Sequence, residues 1–435
     1  MALEFGHGSI DWLSTATAGT NIVITTLSFQ PKAIRFYWVG LQSAIDAASQ
    51  AVSERRGVGF AVDTANRRAV GTYSLDTAAT SDCGSVAVND CCVVTVDGTG
   101  TIDGKLDITS FNADGFQMTV DDQAPVNITV FWEAWGGDDI TVAAVGDIAE
   151  PAAIGTQNYT VTGFTADGAN QIVMFAGVQA TAAVGTGQAA DSGLHVGFAS
   201  STSAANQVTV CGNSDDASTA MDTDGYCQDG ECLSMILRAG GNPNARASLS
   251  AWGTNQFTLN WAARATSNRR SIFLAIKGGG WRVGAYTIAG NTLNSTTTVS
   301  GIPFQPKGLS LIGRMTAENT AATATANDRI GFGTGSSTSS RRSQGILDEN
   351  ATASSACEID TVVEYDQVLA FPSVTGTLQS AYDINAINTD GFQIIVDVAG
   401  GVANEWQGYM TYGDQPLITT SLKDIIGAGI IPFPR

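Results

Sequence analysis

Ala113-Asp114-Gly115-Phe116-Gln117 returns as Thr254-Asn255-Gln256-Phe257-Thr258, and again as Thr389-Asp390-Gly391-Phe392-Gln393. The phenylalanines lie 141 and 135 residues apart. Asp114-Gly115 is a tight-turn signal. Phe116-Gln117-Met118-Thr119-Val120 then alternates apolar and polar, the period of a half-buried strand. Phe257-Thr258-Leu259-Asn260-Trp261 repeats the alternation, and Phe392-Gln393-Ile394-Ile395-Val396 keeps it at its start. A turn and strand returning at one long interval mark a repeated unit.

Two more anchors share that interval. Val58-Gly59-Phe60, Val196-Gly197-Phe198 and Ile330-Gly331-Phe332 are spaced by 138 and 134 residues. Their phenylalanines are expected to be equivalent and buried. Phe29-Gln30-Pro31-Lys32 returns 275 residues later as Phe304-Gln305-Pro306-Lys307, two units on, while the middle unit carries Phe164-Thr165-Ala166-Asp167. Each unit closes on an apolar run before Gly, as in Ile128-Thr129-Val130-Phe131-Trp132 and Ile272-Phe273-Leu274-Ala275-Ile276. No Pro- or Ser-rich linker separates the units, so neighbours are expected to touch.

Within a unit, about eight short β-branched or aromatic runs are separated by turn signals, with little helical patterning between them. This predicts an all-β protein of three tandem antiparallel β-sandwich domains, jelly-roll or immunoglobulin-like, over residues 1–138, 139–280 and 281–414. Ile45 to Arg55 reads as a helix or as a loop. Residues 415–435 form an apolar C-terminal tail, Ile425-Ile426-Gly427-Ala428-Gly429-Ile430-Ile431-Pro432-Phe433-Pro434, expected to be docked on this chain or on a neighbour.

Composition narrows the function. Charged residues make up 14% of the 435 positions, against an average of roughly 25%. The formal net charge is −20. Such a chain lacks the Lys and Arg that displace counterions from a nucleic-acid backbone or bind an anionic membrane, so neither is expected as a partner. Met1 to Ile10 has neither a basic nor an apolar segment of a secretory leader, and no apolar run approaches the roughly 20 residues of a membrane helix. Synthesis in a cytoplasm, without export by the general secretory route, is therefore expected.

Each chemistry-bearing cluster has a bland reading that the sequence favours. Asp215, Asp216, Asp222 and Asp224, and the pair Asp97 and Asp103, invite calcium, but the EF-hand spacing is absent. Cys83, Cys91, Cys92, Cys211, Cys227, Cys232 and Cys357 lack the paired spacing of a zinc site, and only His7 and His195 add imidazole. Cys83 with Cys91 or Cys92, and Cys227 with Cys232, flank corresponding loops. They are either local disulfides or free, partly buried thiols. His195 has no nucleophile-elbow context and no evident partner, and it reads as structural. No catalytic residue, cofactor or metal site is assigned, and the chain is expected not to be an enzyme. The arginine pairs Arg55-Arg56, Arg67-Arg68, Arg269-Arg270 and Arg341-Arg342 read as solvated turns, or as corners that grip carboxylates on a neighbouring subunit.

The Phe-Gln-Pro-Lys strand entry, the Val-Gly-Phe-Ala strand, the Asp-Gly-Phe hairpin and the closing Ile-Phe-Leu-Ala-Ile-Lys-Gly-Gly resemble a repeat found in structural proteins of tailed bacteriophages. Units there begin with a Val-Gly-Xaa-Tyr/Phe-Thr strand, matched by Val283-Gly284-Ala285-Tyr286-Thr287. The resemblance runs over nearly all of residues 15–413 as a pattern of strands and turns, and it carries no functional residues. It implies a virion component, assembled in the host cytoplasm. Compact domains without linkers, and the absence of coiled-coil heptads, favour one that decorates or cements the capsid surface. Its partners would be other virion proteins and further copies of itself. The alternative is a tail- or head-fibre adhesin that binds host glycans through aromatics such as Trp132, Trp135, Trp252, Trp281 and Trp406.

Overall fold

Alternating apolar runs and tight turns give strands and little else. The computed structural model describes residues 2–39, 47–51, 53–75, 79–220, 222–236, 243–265, 269–319, 325–350 and 359–415. These form 33 strands and one 3-10 turn, Ala204–Asn206. The first eleven are β1 (Glu4–Trp12), β2 (Asn21–Ile24), β3 (Pro31–Trp38), β4 (Ala47–Ala51), β5 (Ser53–Ala61), β6 (Arg67–Leu75), β7 (Asp82–Val88), β8 (Val93–Val96), β9 (Ile102–Asn112), β10 (Gly115–Asp122) and β11 (Ile128–Gly136). The second series is β12 (Val142–Ala149), β13 (Gly155–Thr160), β14 (Gln171–Val178), β15 (Gln188–Ala189), β16 (Leu194–Ala199), β17 (Gln207–Ser214), β18 (Thr223–Asp229), β19 (Leu233–Ile236), β20 (Pro243–Gly253), β21 (Gln256–Ala263) and β22 (Arg270–Lys277). The third is β23 (Gly280–Ile288), β24 (Thr296–Val299), β25 (Gly308–Gly313), β26 (Thr325–Ala326), β27 (Asp328–Ser337), β28 (Ser340–Asp348), β29 (Ile359–Glu364), β30 (Leu369–Pro372), β31 (Leu378–Asn388), β32 (Gly391–Val398) and β33 (Glu405–Gly413).

The strands make six antiparallel sheets in a sandwich-like arrangement, and one strand order occurs three times. In the first series a large sheet, β1-β11-β3-β5-β6-β7, faces a small one, β2-β10-β9-β8. Their core includes Trp12, Phe36, Trp38, Phe116, Met118 and Trp132. Phe257 and Phe392 hold the place of Phe116 in the other two cores. All three are fully buried, each stabilising by about 1.5–3 kcal/mol over an exposed ring.

The fourth strand of each series leaves its own sheets. β15 pairs with β7, β26 with β18, and β4 with β29. The second series thus lends an arm to the first, the third to the second, and the first to the third. Three equivalent contacts that return to their starting point describe a closed ring with a pseudo-threefold axis. The Ile45 to Arg55 segment expected as helix or loop is, where described, arm β4 and the start of β5. Pairing with a distant sheet edge overrides its local propensity.

The large sheets bury their other faces against one another. One apolar cluster takes Tyr37, Phe60 and Trp135 from the first series, Met174, Phe198 and Leu274 from the second, and Phe332, Met410 and Tyr412 from the third. The Val-Gly-Phe anchor therefore serves the joint between units. Its third copy is displaced by two residues from expectation. A Cβ added to Gly59, Gly197 or Gly333 would land on the carbonyl oxygen of Cys92, Cys232 or Val368 respectively. These three glycines are therefore equivalent, and the third-series match to Val58-Gly59-Phe60 is Phe332-Gly333-Thr334. Phe332 faces the same joint because a shift of two keeps a strand residue on its face.

Candidate functional site

The most distinctive chemistry lies where the ring closes. The equivalent glycines pair with Ala69, Thr209 and Ser343; five residues on from these, Ser74 on β6, Ser214 on β17 and Asp348 on β28 hold one position in the three series, and they meet. Both serine hydroxyls donate to Asp348 Oδ2, at 2.9 Å from Ser74 and 2.5 Å from Ser214. Thr223 donates to the Asp348 carbonyl at 3.0 Å. One strand away, Arg56 forms ion pairs with Glu54 at 3.3 Å and with Asp328, which belongs to the third series. Its Nη2 also donates to the Ser192 carbonyl of the second series at 2.9 Å, and its Nε to Thr72 at 3.3 Å. All these side chains are buried. A second link between series runs through Glu133, which pairs with its strand neighbour Arg35 at 2.5 Å and accepts from Ser310 of the third series.

Like positions carry unlike residues here, which gives the ring an order. Three copies of Asp348 would crowd three carboxylates at one point, whereas one Asp between two Ser receives both hydroxyls on its Oδ2. Burial pushes Glu54 up to about 8 against the pull of Arg56, with Asp348 and Asp328 raising it further. Burial likewise lifts Asp348 to about 7, opposed by its serine bonds and Arg56. Arg56, pulled down by burial, is nonetheless held above the usual arginine range by its carboxylates.

Acids whose folded pKa lies above the ordinary value stabilise the fold while protonated and lose that contribution as pH rises through the folded pKa. Buried Glu405, also raised to about 8, acts in the same direction. His7 and His195, lowered to about 3, have the opposite sign, but their contribution is complete once pH exceeds the ordinary 6.5. Calorimetry between pH 7 and pH 9 should therefore show a falling melting temperature. A constant or rising one would contradict the buried carboxyl layer.

Neither histidine is placed for acid–base work. His195 is buried, its Nε2 lies 3.0 Å from Ser271 Oγ, and its Nδ1 has no hydrogen-bond partner. Among the described residues no carboxylate orients it. His7 Nε2 lies 3.0 Å from Ser340 Oγ and 3.3 Å from Ser336 Oγ, and its Nδ1 lies 3.1 Å from Arg342 Nη1. Arginine only donates, so Nδ1 accepts and the ring proton sits on Nε2, aimed at the serines. That tautomer cannot take a serine proton.

The other candidates fall into structural places. The six described cysteines are free and fully buried, with no disulfide among them. Burial pushes all of them up, Cys211 and Cys227 to about 12. Cys357 lies outside the described residues, as does 416–435 of the apolar tail. Among the described residues no cluster of three His, Cys, Asp or Glu could hold a metal. The acidic loop belongs to a joint between series: Asp216 accepts from the Cys83 amide at 3.0 Å, and Asp224 is raised to about 6 by burial. Asp103 pairs with Arg55 at 2.8 Å, and Asp97 caps its own turn through Thr99 and Thr101.

Several of the arginine corners grip carboxylates, and these carboxylates belong to this chain. Arg67 grips Asp107 through two bonds of 2.8 and 2.7 Å, and Arg341 pairs with Asp383. Arg68 reaches Asp147 of the next series at 2.8 Å, and Arg342 lies over Tyr365 beside His7 of the first. Arg270 donates to the Ala182 carbonyl. Of the five tryptophans weighed for glycan stacking, Trp132, Trp135, Trp281 and Trp406 are buried. Trp252 is half-buried against Phe164 at 5.6 Å. Trp135, Trp281, Tyr412 and Phe5 build the seam where the Leu3 amide donates to Asp414, beside Lys307.

No sequence signal marked the closing layer: Arg56 and Asp348 have no charged counterpart in the other series, and Glu54 and Asp328 come into line only once Gly333 and not Gly331 is matched to Gly59. The nearest signal was Arg55-Arg56 beside a glycine anchor. No protein-family model matches the chain, and no curated protein matches it. Among solved structures, fructofuranosidase from Schwanniomyces occidentalis with fructose aligns at 7% identity and a TM-score of 0.13, over 92% of this chain and 98% of that one. The same organism's β-fructofuranosidase with fructosyl-erythritol aligns at 8% identity and 0.12, over 90% and 99%. At such scores neither alignment bears on fold or activity.

Proposed function

We propose that the chain is a non-enzymatic structural subunit, a bacteriophage virion protein that decorates or cements the capsid surface. On this reading it is three tandem β-sandwich domains, 1–138, 139–280 and 281–414, folded as a trimer within one chain. The supporting observation is the cyclic exchange of arms β4, β15 and β26, with unlike residues matched at the axis. Buried arginines, carboxylates and tryptophans join units to one another, which suits a rigid triangular brace more than a site for turnover. Such a brace fits the local threefold junctions between capsomers. Its partners are other virion proteins and further copies of itself, not nucleic acid or membrane. The adhesin reading keeps one specific support, the uncharged Thr, Asn and Gln side chains along the outer face of the small sheets.

A reconstruction of the purified particle tests this. Triangular density of one chain over junctions between capsomers is the expected result. Density confined to a fibre, together with binding on a glycan array, would replace it with the adhesin reading.

A further inference from the structure

One segment is uncharged in all three series. Residues 12–31, 151–166 and 283–306 contain no Asp, Glu, Lys, Arg or His, in a chain of net charge −20. Each includes β2, β13 or β24, the edge strand of a small sheet. Val23, Asn158 and Thr298 are equivalent on these edges, standing opposite Gln117, Thr258 and Gln393, and all three are exposed. The loop leading into each edge strand carries an exposed apolar residue: Leu13, Ile154 and Leu293, at 42%, 66% and 55% exposure. Natural edges are usually blunted by charge, proline or a covering element, and these carry neither charge nor proline.

We propose that β2, β13 and β24 are the surfaces by which copies of this chain associate side by side, edge strand against edge strand. The inference rests on the structural-subunit reading and names the partner as a second copy. Two molecules of charge −20 repel over most of their surfaces, and these edges are where they can approach without facing like charges. An antiparallel pair of identical edges is self-complementary about a twofold axis, and it would turn two four-stranded sheets into one of eight. Three such edges around a pseudo-threefold axis propagate a net where one would stop at a dimer. Asp121 and Asp122 on β10 and Asp397 on β32 are exposed one strand inward, so the residual repulsion should yield to salt and association should strengthen as salt rises.

Sedimentation velocity of the full chain over a wide concentration range, at low and high salt, reads this directly. The edge variant is Val23→Glu, Asn158→Glu and Thr298→Glu. The control places equal charge on exposed hairpin tips, as Thr64→Glu, Thr202→Glu and Thr338→Glu. The expected result is salt-promoted association of wild type beyond the dimer, retained in the tip variant and weakened about tenfold or more in the edge variant. Val23→Glu alone, with an unchanged melting temperature, should limit assembly to smaller species. A wild type that stays monomeric at every salt concentration, or equal loss in the two triple variants, overturns the proposal. In the first case the edges would be open to some other extended strand or to a glycan. Retention of the tip variant on particles is a separate reading that bears on the structural-subunit function alone.

Discussion

Replacing Arg56 with alanine is expected to destabilise the protein by about 3–5 kcal/mol, the cost of leaving buried carboxylates without their cation. Arg56 bridges all three series through Glu54, the Ser192 carbonyl and Asp328. Removing it leaves Glu54, Asp328 and Asp348 facing one another, and protonation is the cheapest relief. The loss should therefore shrink as pH falls from neutral to about 5, where Glu54 and Asp348, both raised by burial, hold protons. Arg56→Met with Glu54→Gln and Asp328→Asn, which removes the charges together, should recover much of the stability. Denaturant titration of the variants at both pH values checks this. A loss below about 1 kcal/mol at neutral pH, within the range of exposed pairs, would mean that the layer is solvated.

A methyl group at Gly59, Gly197 or Gly333 should cost about 3 kcal/mol, at the upper end for overpacking, because the obstacle is a backbone carbonyl that cannot rotate away. Gly290→Ala, where an added Cβ meets only the Thr292 hydroxyl at the edge of contact, is the control and should stay within about 1 kcal/mol. Equal small effects at Gly290 and Gly59 would remove the close approach of β5 to the Cys92 carbonyl.

Those glycines also show what was legible in the sequence. The all-β class and the long repeat follow from anchors that recur because each unit faces the same steric demand. Gly115 and Gly391 are two such anchors, each with the carbonyl of an edge residue, Ile24 or Val299, against it. The two-residue displacement in the third series was hidden because Ile330-Gly331-Phe332 copies the local pattern, while the contact that fixes the register, Val368 against Gly333, is long-range. Arms β4, β15 and β26 left no local signal, since an exchanged strand is defined by the sheet that receives it. The arginine corners read either as solvated turns or as grips on a neighbouring subunit, and neither reading located the carboxylates, Asp107 for Arg67 and Asp147 for Arg68, within the chain itself. The tryptophans show the same limit, because a ring at a joint between units and a ring open to solvent look alike in one dimension.

Closure of the ring within one chain is most directly tested by small-angle X-ray scattering of the monomer, at a concentration and salt where light scattering gives a single chain. Compact packing of 435 residues corresponds to a radius of gyration of about 22 Å with a single symmetric peak in the distance distribution. A value above about 30 Å with an extended tail, the profile of units strung end to end, would contradict the exchange of arms around a common axis.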